Sequence, residues 1–291
     1  MPSPPGISLI IVAAGRGERL GADQPKQFRA LELSFLGVSS GNFVSNSNIL
    51  SKAGFGTSSS SSFHLRRANS AVYDSPELGG FEFAVGYSPD EVKTANRNAT
   101  LVSTGVRYGG KKSPFFIAAA YEVHNDLFGG SRNAPVALAN DTNLNARSKD
   151  TALRLTGSYT FFGKTTVEVN YAIMEYKETG GTAGKFSNYK HNAFSVGLEH
   201  NMGPWQFAGS VSQAAKGSCS LVGGAACTTD GLKGTQVSAG ARYNFSKRTS
   251  VFGMYARVYN GFAARYNNLA TGNPSNGSDI SQVALGVQHS F

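Results

Sequence analysis

Residues 235–245 have the sequence TQVSAGARYNF, in which apolar and polar side chains alternate. The apolar set at every second position is Val237, Ala239, Ala241, Tyr243 and Phe245. The intervening set is Gln236, Ser238, Gly240, Arg242 and Asn244. Since successive side chains of a strand point to opposite faces, this pattern predicts a β-strand with one apolar and one polar face.

Eleven segments of this kind follow one another along the chain. They are residues 65–74, 81–88, 100–109, 114–124, 151–162, 164–177, 189–201, 203–215, 234–245, 248–259 and 280–291. Most are longer than the roughly 5–6 residues usual in soluble sheets. They match the roughly 9–11 residues with which a tilted strand crosses a bilayer.

Short and long connections alternate between these segments. The short ones are 75–80, 110–113, 163, 202–203 and 246–247, and the long ones are 89–99, 125–150, 178–188, 216–233 and 260–279. This is the loop layout of an outer-membrane barrel. For any single strand the apolar face could pack on a protein core instead. Three features favour contact of the apolar face with lipid: the number of long strands, the aromatic residues at their ends and the Arg residues on the polar face.

The composition limits the other classes. Only 15% of the 291 residues are charged, and the net charge is +9, which suits nucleic acid, an anionic membrane surface or an anion-conducting pore. The longest apolar run, residues 7–14, is about half the ~20 residues of a membrane-spanning helix, so only a barrel could cross a bilayer. No Lys or Arg precedes that run, so the start is not expected to be a secretory signal peptide.

Cys219 and Cys227 are the only cysteines and lie in a Gly/Ser/Thr-rich stretch. This favours a local disulfide in an oxidising compartment, with two free thiols as the alternative. The histidines, at 64, 124, 191, 200 and 289, are far apart and show no metal-ligand spacing. No metal, cofactor or nucleic-acid partner is therefore predicted.

Four stretches carry a family resemblance: LSFLGVSSGNF at 33–43, RANSAVYDSPELGGFEF at 67–83, ARYNFSKRTSVFGMYA at 241–256 and VALGVQHSF at 283–291. Residues 31–291 resemble the trimeric general porins of beta-proteobacteria. The resemblance implies a homotrimer of all-β, antiparallel transmembrane β-barrels in the outer membrane, surrounded by lipid and lipopolysaccharide. It also implies passive diffusion of small hydrophilic solutes and ions.

On this pattern about 11–12 of the roughly 16 strands of such a pore are present, and the first three have no counterpart, so closure of the barrel is left open. Residues 39–64 would include the pore-constricting loop. Phe291, the terminal aromatic residue, is the candidate signal for the outer-membrane barrel assembly machinery.

Residues 1–30 differ from the rest of the chain. The stretches AAGRGERLG at 13–21 and PKQ at 25–27 resemble the start of 2-C-methyl-D-erythritol 4-phosphate cytidylyltransferases. In that resemblance Gly15 and Gly17 cradle the phosphates of CTP, and Arg19 and Lys26 neutralise charge. The resemblance ends near residue 29, so a cytidylyltransferase fragment fused to a porin domain at 31–291 is predicted, without enzymatic activity. The alternatives are a nucleotidyltransferase, a non-functional fusion product and a soluble sheet-rich binding protein.

The alternation predicts that eight charged residues lie on the polar face and line the pore. They are Arg107, Arg154, Arg242 and Arg257, and Glu82, Glu122, Glu168 and Glu199. Facing rows of opposite charge would create a transverse field that screens solutes. Alternatively, these side chains only solvate the lumen and brace the wall in mutual pairs. The net charge of +9 predicts a mild anion preference.

Overall fold

The computed structural model describes residues 48–54, 63, 70–93, 98–109, 113–127, 147–267 and 274–290, without the side chains of residues 48 and 90–93. Its elements are α1 (Asn48–Ser51), β1 (Ala71–Asp74), β2 (Phe81–Lys93), β3 (Asn98–Gly109), β4 (Phe115–Asn125), β5 (Arg147–Phe161), β6 (Thr165–Thr179), β7 (Phe186–Met202), β8 (Trp205–Ala214), β9 (Ser218–Leu221), β10 (Gly234–Asn244), β11 (Thr249–Asn260) and β12 (Ile280–His289). The predictions for residues 1–30, for residues 33–43 and for Phe291 fall outside the described residues.

The strands form one antiparallel sheet of 12 strands. Eleven of them follow one another in sequence order, and β9 pairs with β7 beside this path. Each predicted segment corresponds to one strand on the path, which confirms the all-β antiparallel prediction. β1 and β12 lie at the two ends of the path, and the described residues of these two strands do not pair with each other.

From β3 to β12 short and long connections alternate as predicted, but the link between β2 and β3 has only four residues, fewer than the short links on either side of it, so the predicted alternation is wrong there. Strands β2 and β3 continue to Lys93 and Asn98, and strands β6 and β7 to Thr179 and Phe186. The predicted long links 89–99 and 178–188 therefore shrink to residues 94–97 and 180–185. Pairs such as Lys177↔Asn188 extend the ladder beyond the apolar band, where side-chain alternation no longer marks the strand. We call this end of the sheet the long-loop rim and the opposite end the short-turn rim.

The sheet buries its mostly polar face and exposes its apolar face, which is the reverse of the arrangement in a soluble protein. On β6 Glu168 and Asn170 are each 3% exposed, whereas Val169 between them is 50% exposed. We call the buried, mostly polar face the inner face and the exposed face the outer face. The apolar set predicted to face lipid lies on the outer face in β2, β4, β5, β8, β10 and β12. An apolar outer face suits hydrocarbon as the surrounding medium.

Strand β11 has the opposite phase to the prediction. Because Val258 is paired with Gln236 and Arg257 with Val237, Val258 shares the inner face and Arg257 the outer face. The prediction that Arg257 lines the inner face is therefore wrong. Arg257 instead forms an ion pair of 3.4 Å with Asp279 and lies 4.7 Å from the centre of the Tyr259 ring.

Aromatic side chains gather on the outer face near the short-turn rim. The ring centres of Phe81 and Tyr108 are 4.5 Å apart, and Tyr243 lies 4.8 Å from Trp205 and 4.9 Å from Phe245. Such a girdle is the usual anchor at a membrane interface. It matches the aromatic strand ends noted in the sequence.

A short segment, residues 48–54, lies on the inner face. Helix α1 packs against β6, β7, β8 and β10, and the amide of Ala53 donates to the hydroxyl of Tyr176 at 3.0 Å. Phe63 packs beside it, with its ring centre 5.5 Å from that of Tyr176. The buried cluster around this segment also includes Met174, Phe186, Tyr189, Leu232 and Tyr266. Among the described residues, no helix has the length and hydropathy needed to span a membrane.

Candidate functional site

The inner face of β5 and β6 carries a hydrogen-bonded network centred on Asn170. Its carbonyl oxygen accepts from Arg154 Nη2 at 2.9 Å and from Thr156 Oγ1 at 2.8 Å. Its Nδ2 donates to Glu168 Oε1 at 2.9 Å. The sheet register places Arg154 between Ala120 and Ala172, whose small side chains leave room for the guanidinium. Arg154 and Glu168 are thus joined through one amide.

A second pair lies on β2 and β3. Arg107 and Glu82 are directly opposite in the register and form an ion pair. Their side chains are 34% and 30% exposed, so water reaches the pair. Exposed ion pairs of this kind contribute at most about 1 kcal/mol.

Of the other predicted carboxylates, Glu122 has a polar partner on its own strand and Glu199 has one on the neighbouring strand. Glu122 is buried and hydrogen-bonded to Nε2 of His124, whose ring centre is 4.8 Å from that of Phe63. Glu199 accepts from Nε2 of Gln206 at 2.8 Å. Each of these carboxylates is fixed by a neighbouring side chain on the inner face.

Arg242 lies on the inner face of β10, opposite Gln206 and Phe252. Its Cζ is 5.9 Å from the centre of the Phe252 ring. The structure therefore places seven of the eight predicted residues on the inner face, Arg257 being the exception. It brings them together as local pairs and networks, not as one basic row facing one acidic row.

Several inner-face groups were missed by sequence reasoning. Asn170 and His124 occupy polar positions in the alternation of their strands, so the alternation could have identified them as inner-face residues. The segment 48–54 shows no alternation and gave no such signal. Within it, burial and the nearby Arg265 guanidinium lower the pKa of Lys52 to about 8.

Cys219 and Cys227 form a disulfide, as favoured by the sequence. Cys219 belongs to β9 and pairs with Tyr189 of β7, so this part of the stretch is a strand and not only a loop. The Gly- and Ser-rich composition gave no strand signal there. The described residues contain no group of three His, Cys, Asp or Glu side chains arranged to hold a metal ion.

Asp126 ties three strands together at the long-loop rim. Its carboxylate accepts from the amide of Ser148 at 3.1 Å, from the amide of Asn98 at 3.4 Å and from Nε of Arg147 at 2.8 Å. Burial alone would raise the pKa of Asp126, but these donors outweigh it and hold the pKa below its usual value. The ionised carboxylate therefore fixes the rim of β3, β4 and β5.

Comparisons with known proteins agree with this architecture. The sequence model of the Gram-negative porin family matches residues 27–263. No curated protein sequence matches the chain.

Two solved structures illustrate the similarity in fold. An anion-selective porin from Comamonas acidovorans is 19% identical with a TM-score of 0.57, and the match covers 77% of this chain and 60% of that one. The outer-membrane expressed OmpT of Vibrio cholerae is 15% identical with a TM-score of 0.58, and the match covers 90% of this chain and 75% of that one. The chain thus spans about 60% of the length of the Comamonas protein.

Proposed function

This chain belongs to the Gram-negative porin family, and on that premise we propose that it forms a passive diffusion channel in the outer membrane. The observation that carries the proposal is the inverted burial of the sheet, with polar side chains inside and apolar side chains outside. In hydrocarbon the outer Val, Leu and aromatic residues are favourable, and each strand between the two edge strands β1 and β12 has its backbone paired with a neighbour on both sides. The inner face then provides a wet path for small hydrophilic solutes and ions.

A solute passes along this path only if polar groups of the wall replace part of its hydration shell and bind the solute weakly. Exchangeable hydrogen bonds come from the Asn170 network and from the inner-face hydroxyls of Ser195 on β7 and Ser212 on β8, which are 2.9 Å apart. The neighbouring charges are already matched, as in Arg107 with Glu82 and Arg154 with Glu168. A matched wall attracts neither sign of ion strongly, which favours broad permeability.

The segment 48–54 narrows the path in this proposal. It packs on the inner face near the long-loop rim, and the Tyr176 hydroxyl and the cluster around Phe63 anchor it there. Because that anchor is mostly apolar, the narrowing is a fixed feature of the wall. Solute size is then limited on the long-loop side of the channel.

The finer assignments form part of the same proposal. The porin domain begins near residue 30, close to where the family match starts. The chain is a channel and not an enzyme, its type is beta-proteobacterial, and three copies assemble with Phe291 as the signal read by the assembly machinery. The stretches on which the nucleotidyltransferase alternative rests, residues 13–21 and 25–27, lie outside the described residues.

The test is single-channel recording after the full chain is refolded in detergent and added to a planar lipid bilayer. Discrete conductance steps are expected, together with heat-modifiable mobility of the folded chain on gels. Arg154→Gln should shift the reversal potential towards cations, and Glu168→Gln, the matched control of opposite sign, should shift it towards anions. A folded chain that produces no steps, or variants that shift the potential in the same direction, would contradict the proposal.

The mild anion preference stays a prediction from the net charge of +9 alone, because Arg107 and Arg154 are offset by Glu82 and Glu168 on the inner face. In a salt gradient across the bilayer, the wild-type reversal potential should lie on the anion-selective side. A potential on the cation side would refute the preference while leaving the channel itself intact.

A further inference from the structure

Three lysines lie together on the outer face at the long-loop rim. Lys149 of β5 is directly opposite Lys177 of β6, and Lys190 of β7 is directly opposite Glu175 of β6. All three lysines are exposed on the same side of the sheet. We call Lys149, Lys177 and Lys190 the outer lysine patch.

The patch has more positive charge than its one carboxylate balances. Glu175 contacts Nζ of Lys177 at 3.1 Å and also accepts from Nδ2 of Asn188 at 3.1 Å. Arg147 beside the patch is already engaged by Asp126. Like charges directly opposite each other destabilise a sheet, so the facing Lys149 and Lys177 favour a bound anion.

The patch lies immediately beyond the apolar band of the outer face. On β5 the apolar residues of the outer face begin with the half-buried Leu153 and the exposed Leu155, four and six positions from Lys149. At about 3.3 Å per residue, the lysine is roughly 13 Å along the strand from Leu153. This is where the phosphates of a membrane lipid lie when its tails run along the apolar band, and Lys side chains reach such positions with their stems on apolar surface.

An apolar groove runs along the outer face of β2 to β5, and its lining residue on β5, Leu153, lies four positions along that strand from Lys149. It has a volume of about 330 Å³. Its floor is formed by Thr104 and Ala119, and its walls by Phe83, Val106, Tyr121 and Leu153. Tyr121 is directly opposite Leu153, and Asn125 is opposite Lys149, so the groove leads up the same strands towards the patch.

We propose that the outer lysine patch and this groove bind one phosphorylated membrane lipid, with its phosphate on the lysines and one acyl chain in the groove. The proposal rests on the membrane location argued above. Its charge complementarity selects an anionic phosphate over a zwitterionic headgroup, because each surface lysine adds attraction for anionic lipid. The apolar groove selects a lipid over free phosphate.

The test measures lipid that co-purifies with the full chain folded in a neutral detergent. The probes are dimyristoyl phosphatidic acid and dimyristoyl phosphatidylcholine, which share their tails, quantified by mass spectrometry after size-exclusion chromatography. The wild-type chain should retain the phosphatidic acid in preference. Lys149→Gln, Lys177→Gln and Lys190→Gln combined should lower that retention about tenfold or more.

The matched control removes three cations from the opposite rim: Lys164→Gln, Lys247→Gln and Arg248→Gln. Retention in this variant should stay within about twofold of wild type, because these residues lie away from the patch. Equal loss in both triple variants would mean nonspecific attraction by net charge and would overturn the proposal. No preference of the wild type for the phosphorylated lipid would overturn it as well.

A second variant tests the groove. Ala119→Phe fills the floor and should lower retention of phosphatidic acid without removing any charge. A change of oligomeric state in this variant would assign the groove to contact between copies instead. Inorganic phosphate at matched concentration should fail to displace the lipid, and full displacement would make the patch a site for free phosphate.

Channel recordings on the lysine variant separate this proposal from the previous one. Its conductance should equal that of wild type, because the patch lies on the outer face. A wild-type chain that retains the lipid but never conducts would contradict the channel and leave the lipid site supported.

Discussion

Val196→Arg would place a guanidinium in the middle of the outer apolar face. Val196 lies on β7 between Val169 of β6 and Val211 of β8, its direct partners in the register. These three valines are 43%, 50% and 48% exposed. The substitution therefore tests directly which medium covers that face.

The loss of folding free energy caused by Val196→Arg differs strongly between a bilayer and water. In a bilayer an Arg on the lipid face near the midplane costs about 2–4 kcal/mol, and near the interface about 0–1 kcal/mol. On a water-exposed surface the same change stays within about 0.5 kcal/mol. A cost of 2 kcal/mol corresponds to a change of about 30-fold in the folding equilibrium.

The matched control is Asn192→Arg on the same strand and face. Asn192 is exposed and lies four residues, roughly 13 Å, towards the long-loop rim. Both variants add the same side chain, so only its depth differs. We expect Val196→Arg to cost at least about 1 kcal/mol more than Asn192→Arg.

The assay is urea-dependent folding into phosphatidylcholine vesicles, followed by tryptophan fluorescence. Trp205 is the single tryptophan and is 41% exposed on the outer face, so its emission shifts to shorter wavelength when lipid covers it. Equal costs for the two variants, or emission from Trp205 typical of water in the folded chain, would refute a lipid-covered outer face.

The remaining predictions concern the rim and the inner segment. Asp126→Asn should weaken the long-loop rim by about 1.5–3 kcal/mol, seen as faster hydrogen exchange at the amides of Asn98 and Ser148; unchanged exchange would contradict it. Because the pKa of Asp126 is lowered, the protection in wild type should persist down to the usual carboxyl pKa and be lost as the pH falls further. Lys52 changes stability through an amine instead of a carboxyl group, because burial and Arg265 lower its pKa to about 8 in the folded chain. Between about pH 8 and 10.5 the unfolded chain therefore binds more protons at Lys52 than the folded chain does, and the free energy of unfolding rises with pH. Lys52→Met should remove this rise, up to about 3 kcal/mol, in urea titrations at several pH values, and an unchanged slope would exclude the charge of Lys52 as its cause.

The strand pattern was predictable because side chains alternate with a period of two wherever the two faces meet different media. Strand β10 shows why: Val237 and Tyr243 face one medium, and Gln236 and Ser238 the other. Strand β11 lacks this contrast because both of its faces carry large apolar or aromatic side chains. One face has Phe252 and Met254, and the other has Tyr255 and Tyr259. Only pairing with β10 fixes its phase, and that information is not local to the strand.

The inner segment could not be predicted for a different reason. Helix α1 covers only four residues and carries no repeating pattern. Its position depends on long-range contacts, such as the Ala53 amide with Tyr176, which lies 123 residues further along the chain. Likewise, Asn170 was visible as a polar-parity residue, but its role as the link between Arg154 and Glu168 needs the register of two strands.

In the proposed channel, the location of the charges decides what the net charge of +9 means for transport. The outer lysine patch and Arg257 lie on the outer face, where a solute in the channel does not meet them. On the inner face, the charges of Arg107 and Arg154 are offset by Glu82 and Glu168 within the same pairs and networks. A field that acts on a solute arises from the unbalanced remainder of the inner wall and falls off with distance and salt. In the proposed channel, ion selectivity therefore reports the charges of the inner wall, whereas the outer lysine patch and Arg257 add to the net charge of the chain without facing the solute.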